Sequence, residues 1–405
     1  MRKVAVTGGA GFIGSHLTDA LLSRGDEVII FDDFSSGSLI NLTHQKDNHS
    51  LKVISGNILD RESLLRAFIG VDGCFHMAAA VGVEKILKDP IGSLKTNIHG
   101  TENVLEAAVV SQVPILLAST SEIYGKNSSG PLSEDSDRIL GSPLLSRWTY
   151  SEAKALDESL ARALYEKSGL KVKIIRYFNT VGPRQSAAYG MVIPKFFKAA
   201  ISGDALLIHG KGEQRRVFCH VKDAVNGTLA LWNSKSGFGE AFNLGGVEEV
   251  SILDLAKNII KLCESNSTIN FLSYDEMRKS GFEDIERRIP NTEKLRKLTG
   301  WSPEKSLNNI LNDYLEFIKK NKNLISVDIK IKDVNNVDLY KKDLQKNFQN
   351  YYFTTWIDNN QTFFDALLVE RNVMFIILTL IIIVAAFNIV TGMTILVKNK
   401  TKEIA

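Results

Sequence analysis

Thr7-Gly8-Gly9-Ala10-Gly11-Phe12-Ile13-Gly14 is the stretch whose reading decides the fold. It joins an apolar run, Lys3 to Thr7, that reads as a buried strand to a helical stretch from Phe12 to Ser23. Gly8, Gly11 and Gly14 have the spacing GxxGxxG. The first permits a tight turn, the second lets a pyrophosphate approach the backbone, and the third lets helix pack on strand. A second apolar strand, Glu27 to Phe31, ends at Asp32, eighteen residues after Gly14. A carboxylate there is placed to accept hydrogen bonds from adenosine ribose hydroxyls and would repel a 2′-phosphate. No Arg follows it closely, so the expected cofactor is NAD rather than NADP.

Outward from this turn, strand-length apolar runs recur at Lys52 to Ser55, Gly73 to Met77, Val113 to Ser119 and Lys171 to Tyr177. Helical patterns separate them, at Glu62 to Phe68, Ser93 to Ser111 and Ser151 to Ser168. Alternation of this kind predicts an α/β fold, a doubly wound parallel sheet of Rossmann type. From about Asn179 the alternation loosens into shorter elements, as expected of a smaller substrate-binding lobe, mainly residues 179–320. Asn321-Lys322-Asn323 reads as a linker closing a unit of residues 1–320. Beyond it an α+β stretch is expected: a strand at Ile325 to Ile331, a helix at Val337 to Gln349 and a strand at Phe353 to Trp356.

Composition narrows the function classes. A chain of 405 residues suggests two or three domains at about 150 residues each. Forty-nine Lys and Arg against 46 Asp and Glu leave +3, too little asymmetry for a nucleic-acid partner. Cys74, Cys219 and Cys263 are scattered and odd in number, which indicates neither a disulfide framework nor a metal site. Met1-Arg2-Lys3 opens no secretory signal pattern.

Tyr150-Ser151-Glu152-Ala153-Lys154 puts a phenol and an ammonium four apart on one helical face. Beside a nicotinamide, that ammonium is expected to favour the phenolate and make Tyr150 a base near neutral pH. Ala118-Ser119-Thr120-Ser121-Glu122-Ile123-Tyr124-Gly125 runs from a strand into small hydroxyl residues. It supplies a hydroxyl and a carboxyl at the carboxyl end of the sheet, where doubly wound folds bind ligands.

At this point residues 1–320 resemble a family, the extended short-chain dehydrogenase/reductases that act on nucleotide sugars. The resemblance rests on TGGAGFIG, Asp32, Gly56-Asn57-Ile58, His76-Met77-Ala78-Ala79, Asn97 with Gly100-Thr101, STSEIYG, YSEAK, and Phe178-Asn179-Thr180-Val181-Gly182-Pro183-Arg184. Gly212 to Asp223 also resembles the family. The resemblance implies that Tyr150 takes a proton from the sugar 4-hydroxyl as hydride leaves C4 for NAD. Lys154 would bind the nicotinamide ribose and lower the Tyr150 pKa, and Thr120 would hydrogen-bond the reacting oxygen. Gly8, Gly11, Phe12, Ile13, Gly14, Asp32, Asn57, Ile58, Ala78 and Asn97 are the implied cofactor contacts, with Tyr150 and Lys154. Asn57 departs from the Asp often found at the adenine edge, where an amide can still hydrogen-bond. Asn179 and Arg216 match positions that hold the nucleotide diphosphate, and Arg184 is carried over with them as substrate-binding. His76, His99 and His220 read as packed or hydrogen-bonded rather than as ligands. A UDP-sugar substrate and a homodimer are expected.

The fate of the 4-keto sugar separates the subfamilies. Dehydratases resemble Thr-Asp-Glu at this strand end, whereas Thr120-Ser121-Glu122 lacks the Asp. Thr-Ser-Glu before a hydrophobe and Tyr-Gly is similar to UDP-glucuronate decarboxylases. Arg288, within Glu286-Arg287-Arg288-Ile289-Pro290, falls where decarboxylase-like members carry an Arg near the substrate. With Glu122 it would act around C5. Bacterial 4-epimerases share FNTVGPRQ and a similar Arg-Arg segment, so decarboxylation and 4-epimerisation both stand, ahead of dehydration.

From Val373 to Val397 no charge occurs. As a helix that run is about 37 Å long, enough to cross a roughly 30 Å hydrocarbon core. Lys398, Lys400 and Lys402 follow it and by the positive-inside rule would sit in the cytoplasm. Residues 1–320 carry no signal and need cytoplasmic nucleotide sugars, so the enzyme unit is expected in the cytoplasm, bound to the inner membrane through residues 373–397. Trp356 to Met393 resembles the permease subunits of lipoprotein-releasing ABC transporters, at the end of the periplasmic domain and the following span. The match covers about residues 324–405, with 324–372 as the extramembrane fragment, and carries no ATP-binding motif. It reads as a fused or truncated fragment. The other class of reading is a membrane interaction or transport component whose Rossmann lobe merely binds nucleotide.

Overall fold

The computed structural model describes residues 2–82, 89–187, 191–273, 285–321, 336–347, 355 and 361–404. The chain forms two compact units, Met1–Ser326 and Val327–Ala405. In the first, β1 (Lys3–Thr7) leads through the Gly-rich turn into α1 (Phe12–Ser23), followed by β2 (Glu27–Asp32), β3 (Leu51–Ser55), α2 (Arg61–Ala67) and β4 (Gly73–His76). Next come α3 (Pro90–Val110), β5 (Ile115–Thr120), α4 (Thr149–Ser168) and β6 (Val172–Tyr177). The expected strands and helices of this half all occur. Their ends move by a few residues because caps, not apolar residues, set them: Asp60 accepts from Ser63 N before α2, and Asp89 from Gly92 N before α3. Pro90 opens α3 where its missing N–H costs no helical bond.

The remaining strands are β7 (Thr180–Val181), β8 (Leu206–His209), β9 (Arg215–Val217), β10 (Cys219–His220), β11 (Ala241–Leu244), β12 (Glu249–Ser251), β13 (Ile269–Leu272) and β14 (Arg287–Arg288). Helices α5 (Val192–Ser202), α6 (Val221–Asn233), α7 (Ile252–Leu262), α8 (Glu293–Thr299) and α9 (Leu307–Lys320) alternate with them. The main sheet runs β3-β2-β1-β4-β5-β6-β11, every neighbour parallel. Strand order reverses between β1 and β4, so a crevice opens at the carboxyl ends there. Strand β11 is the element that the stretch assigned to the lobe does not disclose. It has four residues and no length of pattern, and its partner β6 is 67 positions away in the register Ala241↔Ile174.

The central strands β1, β2, β4 and β5 are buried on both faces, which is why they are largely apolar, whereas edge strand β3 is half-exposed. Val4, Val6, Ile30, Leu116 and Ile175 pack on one face with Leu17, Leu21 and Leu231, whereas Ala5, Ile29, Ile115, Leu117 and Ile174 pack on the other with Val104, Leu105 and Ala161. A separate core of Phe197, Ile208, Leu255, Ile259, Ile310 and Leu311 holds the lobe. In the second unit, α10 (Val337–Asn347) and α11 (Gln361–Ile404) are described. The strands expected at Ile325 to Ile331 and Phe353 to Trp356 lie outside the described residues, Thr355 apart. Within α11, Glu370–Ile395 has a mean hydropathy of 3.0 and exposed side chains, and among the described residues it is the one helix long and apolar enough to cross a membrane.

Candidate active site

The Gly-rich turn is closed by its own backbone. Gly11 N donates to Gly8 O at 3.1 Å and Ser15 N to Gly11 O at 3.0 Å. Gly8 has φ +69°, and a Cβ on Gly14 would lie 2.1 Å from Gly8 O. That is a cradle only glycine leaves open. Asp32 is buried beside it, with Oδ2 accepting from Ala10 N at 2.9 Å and Oδ1 from Phe34 N at 2.8 Å. Burial raises its pKa, against the lowering effect of these two backbone donors. Asp32 therefore braces the turn as well as facing the cavity, and each oxygen keeps a lone pair for a ribose hydroxyl.

A cavity of about 390 Å³ runs from this turn across the carboxyl edge of the sheet. Gly8, Gly11, Phe12, Ile13, Gly14, Asp32, Ile58 and Ala78 line its cofactor end, and Thr120, Glu122, Tyr150, Lys154, Asn179, Arg184 and Arg288 its other end. Three expected contacts are not in its wall. Asn57 donates to Asp33, which is, at 3.0 Å. Asn97 grips the backbone of Ala80 through N (2.7 Å) and O (3.1 Å). Arg216 donates to the carbonyls of Arg215 and Glu286.

Strand β5 delivers Thr120 to the sheet edge, and the turn Ser121–Tyr124 carries Glu122 onward. Helix α4 is anchored there because Ser151 Oγ donates to Glu122 O at 2.8 Å. Tyr150 hydrogen-bonds Thr120. Lys154, buried, donates to Asp157 Oδ2 at 3.1 Å. The expected lowering of the Tyr150 pKa is not met here. Burial raises it, and the carboxylates of Glu122 and Asp157 raise it further, against the Thr120 hydrogen bond.

Glu122 is held by two guanidiniums. Arg147 Nη2 lies 2.5 Å from its Oε2, and Arg288 Nη1 pairs with its Oε1. Burial acts to raise the Glu122 pKa, but the two cations outweigh it and hold the carboxyl far below the usual range. Arg288 Nη2 also donates to Asn179 Oδ1 at 2.9 Å. Parallel pairing of β14 with β9 sets Arg288 in this position. Asn179 and Arg184 have φ +26° and +69°. Side chains held in the left-handed region mark backbone strained into place by its surroundings. Arg184 pairs with Asp19 at 2.7 Å, and its Nη1 has no hydrogen-bond partner among the described residues.

Sequence reasoning does not single out Arg147 or Asp157. Their signals are nonetheless local: each stands three residues from a motif residue, Arg147 before Tyr150 and Asp157 after Lys154. The histidines are as expected. His76 is buried between two threonine hydroxyls, His220 accepts from Lys222 N at the start of α6, and His99 is exposed beside Glu102.

The chain is similar to several known nucleotide-sugar enzymes. A UDP-N-acetyl-alpha-D-glucosaminuronate decarboxylase of Bacillus cytotoxicus is 38% identical over 80% of this chain and 99% of its own length. UDP-glucuronic acid decarboxylase 1 of Xenopus tropicalis is 36% identical over 79% of this chain and 72% of its own. Among solved structures, a UDP-glucuronic acid 4-epimerase of Bacillus cereus, in complex with UDP-glucuronic acid and NAD, has a TM-score of 0.71 at 31% identity, covering 78% of this chain and 99% of that one. The cradle at Gly14, the Asp32 carboxylate in the cavity wall and the Tyr–Lys pair fit the same cofactor, NAD. Residues 5–314 match the family described as GDP-mannose 4,6 dehydratase, and the chain belongs to that family of NAD-dependent nucleotide-sugar-modifying enzymes.

Proposed function

We propose that this chain oxidises C4 of a UDP-hexuronate and then releases its C6 carboxylate as carbon dioxide. The observation that carries the reading is the pair Arg147 and Arg288, two buried guanidiniums converging on Glu122 in the wall of the cavity that holds Tyr150. A sugar that brings its own carboxylate to C5 finds forked donors there. The decarboxylases of Bacillus cytotoxicus and Xenopus tropicalis support the same choice.

Tyr150 oxygen takes the C4 hydroxyl proton, with Thr120 holding the reacting oxygen. Bound NAD supplies the acceptor for the C4 hydride and the donor that returns it. The resulting β-keto acid breaks its C5–C6 bond, leaving the electron pair on C5 conjugated to the C4 oxygen, where Tyr150 O–H donates a hydrogen bond. Ionised Glu122 cannot give a proton while both arginines hold it. A substrate carboxylate exchanging onto Arg288 removes one of its partners, so its pKa rises, it takes up from solvent the one proton the overall reaction consumes, and it delivers that proton to C5 as carbon dioxide leaves. Reduction at C4 then returns the Tyr150 proton to oxygen. Asn179 and Arg184 hold the nucleotide diphosphate in this reading, and Arg216, which lies outside the cavity wall, joins them only by turning from the carbonyls of Arg215 and Glu286. Asn57 and Asn97 support the cofactor end by fixing Asp33 and Ala80.

A second outcome, re-reduction from the opposite face without loss of carbon, is supported by the likeness to the Bacillus cereus 4-epimerase. The test is incubation of the NAD-loaded protein with UDP-glucuronate, UDP-N-acetylglucosaminuronate and UDP-glucose, with products resolved by mass and retention. Loss of the mass of carbon dioxide from a uronate is expected. A product of unchanged mass means epimerisation, and turnover of UDP-glucose alone overturns the uronate reading.

We further propose that residues 1–320 form a cytoplasmic homodimeric enzyme and that residues 373–397 attach it to the inner membrane. In this reading residues 324–405 are a fused fragment, on the ground of the resemblance of Trp356 to Met393 to a permease subunit.

A further inference from the structure

A chain of buried polar groups runs behind the cavity from α4 to the Gly-rich turn. Asp157 Oδ2 accepts from Lys154 Nζ at 3.1 Å and from Thr101 Oγ1, on α3, at 3.1 Å. Thr101 Oγ1 meets His76 Nε2 at 3.1 Å, and His76 Nδ1 meets Thr7 Oγ1 at 2.7 Å. Thr7 Oγ1 in turn accepts from Ala78 N at 3.4 Å, and Ala78 lines the cofactor end of the cavity. Every residue that contributes a side chain to it is at most 2% exposed. A buried carboxylate without a cation is costly, and so is a buried ammonium without an anion. Asp157 and Lys154 meet both demands at once.

We propose that Asp157 is a positioning residue of this active site: it fixes the Lys154 ammonium, supplies its counter-charge, and ties the Tyr150–Lys154 helix through Thr101 and His76 to the cofactor turn. Its consequence is electrostatic. Without Asp157 the ammonium has no counter-charge beside it, only burial and Glu122 still hold the Tyr150 proton, and the phenol would ionise earlier, before a cofactor is bound. With Asp157 in place the Tyr150 proton is retained, in line with the raised Tyr150 pKa, to which Asp157 contributes after burial and Glu122. The other groups facing this pair are Glu122 and Arg147 from the segments flanking Tyr150, Arg288 from β14, Glu158 on α4 and His76 from β4. His76 is held neutral, because burial and the Lys154 charge both lower its pKa. It therefore relays hydrogen bonds without adding charge.

The inference rests on Tyr150 as the acid–base group but not on the identity of the sugar, so the test reads Tyr150 without substrate. Ultraviolet difference titration of the full chain against Tyr150→Phe, with and without NAD, isolates the Tyr150 phenolate. Asp157→Asn is expected to move its midpoint down by on the order of one pH unit, about tenfold more phenolate at a given pH. Where the uronate reaction is observed, the acid limb of its pH profile moves the same way. Asp157→Glu restores the charge and brings the midpoint back towards wild type. Thr101→Val takes a donor from Asp157 and leaves the charge, so the midpoint does not fall; this variant carries the test if Asp157→Asn does not fold. A midpoint unmoved in Asp157→Asn overturns the proposal, as does a fall in Thr101→Val, which would mean that loosening of the helix is enough. Failure of all sugars to turn over, with the Tyr150 shift present, refutes only the substrate reading.

Discussion

Glu122 lies where charge decides more than shape. Its two arginines are 8–9% exposed, so removing the carboxylate leaves buried cations without a partner. Glu122→Gln is expected to lower stability by about 3 kcal/mol at neutral pH, the scale of breaking a buried pair. The folded-state pKa lies below the ordinary 4.5, so this stabilisation is full above about 4.5 and is lost as pH falls through the folded value. Urea midpoints of wild type and variant should therefore converge on acidification; a constant gap would show that the pair contributes nothing by charge. In catalysis the same variant should impair carbon dioxide release more than the initial reduction of NAD. Equal loss of both would point to a shared binding role. Tyr150→Phe removes only the oxygen that exchanges a proton, so turnover should vanish while NAD stays bound. Near-wild-type turnover would sink the assignment of Tyr150.

Among the elements, the turn between β1 and α1 has no room for a side chain. Gly14→Ala sets a Cβ 2.1 Å from Gly8 O, a backbone atom that cannot swing away. Either the helix start shifts or the turn opens, and both spoil the pyrophosphate seat. A loss of about 1–3 kcal/mol in folding stability is expected, together with weaker NAD binding by fluorescence titration. Unchanged NAD affinity would mean that the cofactor does not use this turn. The turn was legible because its glycines, strand and helix are contiguous in sequence. Its brace was only half legible: Asp32 reads as a ribose acceptor, yet its backbone bond to Ala10 appears only when β2 lies against β1.

At the scale of the whole molecule, the first unit contains the Gly-rich turn, the Tyr150–Lys154 helix and the guanidinium pair, all before residue 321. A chain ending at Lys322 should be soluble without detergent and keep its activity, whereas the full chain should partition into membranes through the apolar part of α11. Fractionation with a uronate assay on both forms checks this. Loss of activity on truncation would show that residues after 322 serve the enzyme. Protease added outside intact spheroplasts should spare residues 1–320, and digestion there would reverse the proposed orientation.

By itself the sequence determined the parallel sheet, the cofactor turn, the Tyr150–Lys154 pair and the long apolar helix. Each is a local pattern, written in periods of two or 3.6 residues or in fixed spacings. The tertiary structure alone decided what joins residues far apart in the chain. Strand β11 returns to the sheet after the lobe has begun, because edge strand β6 still offers unpaired backbone groups. Arg288 reaches Glu122 across 166 positions by the pairing of β14 with β9, and Thr101 reaches Asp157 across 56. Such contacts carry no spacing that a sequence can display. They exist because buried charges and hydroxyls must find partners, and only the folded chain determines which partners are within reach.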